Sequence, residues 1–213
     1  MNRNHLEILY QIIAFVFAIC VHESAHAWTA NRCGDPTARM LGRISLNPIK
    51  HVDPIGTVLV PLVGMLSGIG FIGWAKPTPV DTHNMRHPIR DDIFTSLAGP
   101  ASNILIGLVA VVVLFVLAKV AGDAGPNSIA QPVALLCGAF ISVNILLAAF
   151  NLIPIPPLDG SHVLRHMLPE SGKRVYDMIG YVGILLLFFA GGPLIRAFEY
   201  PFVKFFGYLL SGF

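Results

Sequence analysis

The sequence predicts an all-α polytopic membrane protein, and three observations carry that prediction. Of the 213 residues, 54% are hydrophobic and 12% are charged, about half the charged share of an ordinary soluble domain. The mean hydropathy is +0.69, and the apolar residues fall into separate runs. The basic residues gather between particular runs, as loops on the cytoplasmic side of a membrane do. A soluble monomer could not clothe its surface with so few charges. A net charge of +2 offers no basic face for nucleic acid, so no nucleic-acid partner is expected. Cys20, Cys33 and Cys137 show no metal-type pairing and leave an odd thiol, which argues against a disulfide framework.

Five or six hydrophobic helical segments follow in order. Ile8–Val21 has one strongly polar residue, Gln11, and helical pattern continues to about Cys33, where Gly34 suits a cap and Pro36 a stop. The competing reading of this segment is a signal peptide cleaved at Ala25-His26-Ala27; the further apolar runs favour an uncleaved anchor. Ile55–Ile72 is rich in Gly and Pro. Ile93–Val120 begins after Asp91 and Asp92, charges that suit a helix N-terminus. A fourth run starts at Pro132, a good first-turn residue, and ends near Asn151, before Pro154, Pro156 and Pro157. A fifth covers Ile179–Ala190. The aromatic tail Pro193–Phe213 carries Arg196, Glu199 and Lys204, so it spans or lies in the interface. With no internal repeat, the expectation is one membrane-embedded domain over 1–213, its core at 8–168 and its C-terminal hydrophobic segments at 176–213.

Orientation follows from the cations. Arg32, Arg39, Arg43 and Lys50 follow the first helix; Lys76, Arg86 and Arg90 precede the third run; Arg165, Lys173 and Arg174 follow the fourth. The positive-inside rule assigns 32–54, 74–91 and 160–175 to the cytoplasm. Both flanks of Ile55–Ile72 then lie on one side, so that run should enter and return. Irregular backbone survives at membrane depth only when buried in protein or lining a wet cavity.

The chemistry sits at the end of the first helix. His22-Glu23-Ser24-Ala25-His26 sets two imidazoles one turn apart on one helical face, able to grip one metal ion. Zinc is the default metal for such ligands and activates water near neutral pH. Glu23, beside the first ligand, can take the proton from attacking water and hand it to the leaving amine. The bland alternative, a polar helix end among lipid headgroups, is weakened because ionisable residues in a span are costly.

A catalytic zinc needs a third protein ligand and an open position. Helices one and four both run toward the cytoplasm, which brings Asp159 to the depth of His22 and His26. Asp159 is the only acidic residue between Asp123 and Glu170, and its apolar surroundings make an unpartnered charge expensive. It could instead cap the helix suggested by Ser161–Leu168. His162 is the strongest rival ligand; His51, His83, His87 and His166 sit in basic stretches where solvated histidines are common. Asn103 and Asn151 are buried-amide candidates that often glue helices together. Asn151 could instead donate to a developing oxyanion, a contact worth roughly 3 kcal/mol. Gly99-Pro100 lets backbones approach or kinks the helix.

Taken together, His22-Glu23-x-x-His26, Gly99-Pro100-x-x-Asn103 and Asn151-x-x-Pro154-x-x-x-Leu158-Asp159-Gly160 resemble the motifs of the site-2 protease family of intramembrane zinc metalloproteases. The resemblance covers about residues 8–168. It implies His22, His26 and Asp159 as ligands of one zinc, Glu23 as catalytic acid/base, and Asn151 near the scissile carbonyl. It also implies a re-entrant, partly β-structured segment before the third run, part of which Gly73–Val80 resembles. The implied activity is hydrolysis of a peptide bond in or beside the transmembrane segment of a membrane-anchored protein substrate. The implied setting is a bacterial inner membrane, with the active site toward the cytoplasm. No segment is long enough for the PDZ or CBS domain of many bacterial members, so a bare catalytic core is expected. Two other classes compete: a metal transporter, which would string its ligands along a path, and a non-catalytic membrane adaptor that keeps the fold.

Overall fold

Residues 3–66, 74–121, 129–190 and 192–210 are described in a computed structural model of the chain. Among the described residues, three helices are long and apolar enough to cross a membrane: α1 (Arg3–Cys33), α4 (Pro88–Ala121) and α5 (Ala130–Asn151). Between them lie the short helices α2 (Thr37–Met40) and α3 (Val60–Leu66). After α5 come α6 (Gly160–Met167), α7 (Glu170–Ala190) and α8 (Gly192–Leu210). The expected all-α class holds, since no strand forms among the described residues.

Small side chains bring the three long helices together. Ala14, Ala18, Ala27 and Ala30 of α1 and Ala148 and Ala149 of α5 are completely buried. Such residues let helix backbones approach closely where lipid supplies no hydrophobic drive. One row of α1, spaced four residues apart, reads Ala14, Ala18, His22, His26, Ala30, and all five are buried. Phe15, Ile19 and Cys20 pack with Ala139 and Val143 of α5. On the far side of α5, Ile141 and Ile145 pack with Ala110 and Val111 of α4 and with Phe206 of α8. The tail therefore packs as a helix against α4 and α5.

The connection from α1 to α4 closes over one end of this core. Gly34 ends α1 at φ +114°, a conformation favouring glycine, and the Asp35 N–H reaches back to the Ala30 carbonyl at 2.9 Å. The buried Asp35 carboxylate accepts from the backbone N–H of Thr37 and of Asp81 and from the Asn84 amide, tying α1 to the turn before α4. Residues 54–59 form a π-helical turn leading into α3, and 67–73 lie outside the described residues. Most of the expected re-entrant run is therefore helical. Residues 74–81 are extended, without a ladder partner among the described residues. The buried Arg43 guanidinium holds this stretch through the Lys76 and Pro77 carbonyls while also bonding the Lys50 carbonyl.

Candidate active site

The histidine pair is built by α1 and braced by α4. Thr95, Gly99 and Asn103 recur every four residues on α4, facing the imidazoles. His26 Nδ1 donates to the Thr95 carbonyl at 2.7 Å, and His22 Nδ1 lies 2.6 Å from Asn103 Oδ1. Between them stands Gly99. A Cβ there would overlap His26 Nε2 and come within 2.6 Å of His22 Nε2. Glycine is thus required where the helix passes the two rings. The Nε2 atoms of His22 and His26 face one another at 3.0 Å.

Asp159 arrives from the other end of the chain. After α5 the backbone turns through residues 152–159, where Pro156–Pro157 is a cis bond, and folds back so that Gly160 abuts the Leu152 carbonyl. The Tyr176 hydroxyl donates to the Pro154 carbonyl at 2.8 Å and secures the turn. Asp159 stands at the N-cap of α6 but makes no side-chain capping bond. Its carboxylate instead points to the histidines, with Oδ2 3.2 Å from His22 Nε2 and Oδ1 3.4 Å from His26 Nε2.

These three residues are a group whose ligand atoms could hold one metal ion. The bonding fits a cation. His26 gives its Nδ1 proton to a carbonyl, so in the neutral ring its Nε2 carries a lone pair. Asp159 Oδ2 is buried without a hydrogen-bond partner, and such a carboxylate oxygen is costly unless a cation or donor meets it. Two imidazoles and a carboxylate are a zinc-type donor set, three protein ligands with room for a fourth.

A cavity of about 840 Å³ opens on this cluster, walled by α1, α5, the extended 74–80 stretch and α8. Glu23 and Asn151 both line it. Glu23 Oε2 accepts the Thr78 backbone N–H at 2.8 Å, while the Thr78 hydroxyl donates to the Glu23 carbonyl at 3.0 Å. Asn151 donates one amide hydrogen to the Leu147 carbonyl at 2.9 Å.

The rival histidines lie outside this group. His162 and His166 both bond the Asp92 carboxylate, at 3.1 Å and 2.7 Å. The bond to Asp92, opposed by burial, holds the His162 imidazole above its ordinary pKa. His51 is fully buried with Nε2 2.6 Å from the Ser45 carbonyl; His83 pairs with Asp81, and His87 is exposed. Sequence reasoning missed Thr95, Thr78 and Asn144. Asn144 Oδ1 accepts from Asn103 at 2.8 Å, and its own amide donates to the Phe140 carbonyl at 2.8 Å. The four-residue spacing from Thr95 to Asn103 was the available signal for Thr95; nothing local marked Thr78 or Asn144.

Comparison with known proteins meets this geometry from another direction. The sequence model described as "Peptidase family M50" matches residues 10–134 and 119–190. The chain is 33% identical over 182 residues to "Putative zinc metalloprotease YwhC" of Bacillus subtilis, covering 84% of this chain and 80% of that protein. It is 36% identical over 166 residues to "Putative zinc metalloprotease Rip2" of Mycolicibacterium smegmatis, covering 77% of this chain and 60% of that protein. "Regulator of sigma-E protease RseP" of Salmonella typhimurium is 29% identical over 143 residues, 59% of this chain and 31% of that protein. No solved structure matches. Since the matched spans take in both His22-Glu23-x-x-His26 and Asp159 and reach four-fifths of the length of YwhC, the chain belongs to peptidase family M50.

Proposed function

We propose that this integral membrane protein is an intramembrane zinc metalloprotease that cuts membrane-anchored proteins in or beside their transmembrane segments. The observation that carries the reading is the meeting of His22, His26 and Asp159, from the two ends of the core, with a buried carboxylate oxygen left unpartnered. These three would hold one zinc ion per chain. When bound, zinc supplies Lewis-acid polarisation of water and of the scissile carbonyl. Glu23 takes the proton of the attacking water on the oxygen not bonded to Thr78 and delivers it to the leaving nitrogen. Asn151 keeps its second amide hydrogen for the carbonyl oxygen as that oxygen gains charge.

A substrate helix hides its carbonyls in hydrogen bonds, so it must unwind to react. The extended 74–80 stretch or the Pro-rich 152–158 turn offers backbone against which an unwound substrate can pair by strand addition. The run 55–72 is read as re-entrant, the chain as one domain, and the site as facing the cytoplasm of a bacterial inner membrane. The cations of 32–54, 74–91 and 160–175 support that orientation. A transporter would string its ligands along a path; among the described residues His22, His26 and Asp159 are the one group of three such donors close enough together to hold an ion.

The test compares cleavage of a membrane-helix substrate with zinc content. Glu23→Gln should retain zinc and lose cleavage by about 100-fold or more, and Asp159→Asn should lose zinc affinity. Full cleavage by Glu23→Gln would remove Glu23 from the chemistry. Zinc binding unaffected by Asp159→Asn would dismiss Asp159 as a ligand.

A further inference from the structure

The structure assigns Asn144 a positioning role at the metal centre: through Asn103 it selects the His22 tautomer able to bind zinc, an inference that rests on the metalloprotease reading. The bonds begin at a carbonyl. Phe140 O can only accept, so the Asn144 atom 2.8 Å from it is the amide nitrogen. That turns Asn144 Oδ1 toward Asn103, whose facing atom at 2.8 Å must then be its own nitrogen. Asn103 Oδ1 is thereby turned to His22 Nδ1, 2.6 Å away, which must carry the proton. In a neutral ring the lone pair is left on Nε2, on the side where His26 and Asp159 lie. Each polarity is forced by the one before it.

A backbone carbonyl of α5 therefore sets a tautomer on α1, with α4 as intermediary. His26 reaches the same state in one step, through the Thr95 carbonyl. The longer route has a weak point. An amide can turn over, and a reversed Asn103 would offer N–H to His22 Nδ1 and favour a proton on Nε2, where it blocks a metal. Asn144 is the residue that prevents this reversal. All three relay residues are buried, Asn103 and Asn144 completely, so water cannot stand in for a missing partner. Outer partners of metal-bound histidines commonly contribute 10–100-fold in affinity. A residue that merely joined α4 to α5 would contribute to thermal stability and have no specific coupling to zinc.

The experiment measures zinc affinity of the full-length protein in detergent by competition with a chromophoric chelator. Wild type, Asn144→Leu, Asn144→Asp, Asn103→Leu and the Asn103→Leu/Asn144→Leu double variant are compared, with His26→Ala as the control for the site. Asn144→Leu should weaken zinc binding roughly tenfold or more. Asn144→Asp should stay closer to wild type than Asn144→Leu. Aspartate has nearly the shape of asparagine, keeps an oxygen where Asn144 Oδ1 meets Asn103 and, as the acid, an O–H where the Asn144 amide meets the Phe140 carbonyl. Asn103→Leu should cost at least as much as Asn144→Leu, and the double variant no more than Asn103→Leu alone. Wild-type affinity in Asn144→Leu, an equal loss in Asn144→Asp, or additive losses in the double variant would overturn the role of Asn144. Wild-type protein whose zinc binding is indifferent to His26→Ala would instead overturn the metal-centre reading beneath it.

Discussion

Two imidazole nitrogens 3.0 Å apart, with carboxylate oxygens 3.2 and 3.4 Å from them, repel one another unless positive charge lies between. That crowding gives Gly99 its importance, because the α4 backbone passes where any side chain would displace both rings. Gly99→Ala should fold, since alanine favours helix over glycine by about 1 kcal/mol. It should nonetheless lose zinc affinity by about tenfold or more, measured by the same chelator competition; unchanged affinity would mean the rings can retreat without losing the ion. Much of this site was legible residue by residue. His22, Glu23 and His26 announce themselves because their spacing is local to one helix. Asn103 could be read as a buried amide but not as a partner of His22, and Asn144 carried no signal. Their roles depend on which faces of α1, α4 and α5 meet, and no spacing within one helix encodes a crossing between three.

The element that decides the site is the turn between α5 and α6. Its prolines were legible as a helix stop, and whether Asp159 capped α6 or met the histidines was open. The missing cap bond and the two contacts to imidazole resolve it in favour of the histidines. Gly160 makes the return possible, since a Cβ there would overlap the Leu152 carbonyl. Gly160→Ala should therefore weaken zinc binding although it alters no ligand, and metal content of the purified variant checks this. Helix ends were less legible. α4 begins at Pro88 rather than Ile93 and α7 at Glu170 rather than Ile179, because apolar patterning cannot see polar turns held by side-chain bonds. Asp91 accepts the His87 N–H at the start of α4, and Asp177 pairs with Arg165.

The connection between α1 and α4 carries a pH dependence of its own. Burial and the nearby Arg43 hold the His51 imidazole below its ordinary pKa, partly offset by its bond to the Ser45 carbonyl. The unfolded chain then binds the proton more readily than the native one. The stabilisation is complete above about pH 6.5 and is lost as pH falls through the lower native value. The thermal midpoint should drop between about pH 7.5 and 5.5, and His51→Gln should flatten that slope. A slope unchanged by the substitution would assign the effect to other groups.

At the scale of the molecule, three long helices of alternating direction gather the C-terminal part of α1, the N-terminal part of α4 and the C-terminal end of α5 at one level. The order of apolar runs and the placement of cations made this parity legible from sequence, as did the all-α class. The packing of α8 on α4 and α5 through Phe206 was not, because an aromatic tail reads alike whether it spans, packs or lies flat. The convergence itself is most directly measured by zinc-edge X-ray absorption on the purified full-length protein. Two imidazole nitrogens at about 2.0–2.1 Å and a carboxylate oxygen at about 2.0–2.2 Å are predicted, with the carboxylate contribution lost in Asp159→Ala. A shell of three imidazoles, a sulfur ligand at about 2.3 Å, or a spectrum unchanged by Asp159→Ala would contradict the account.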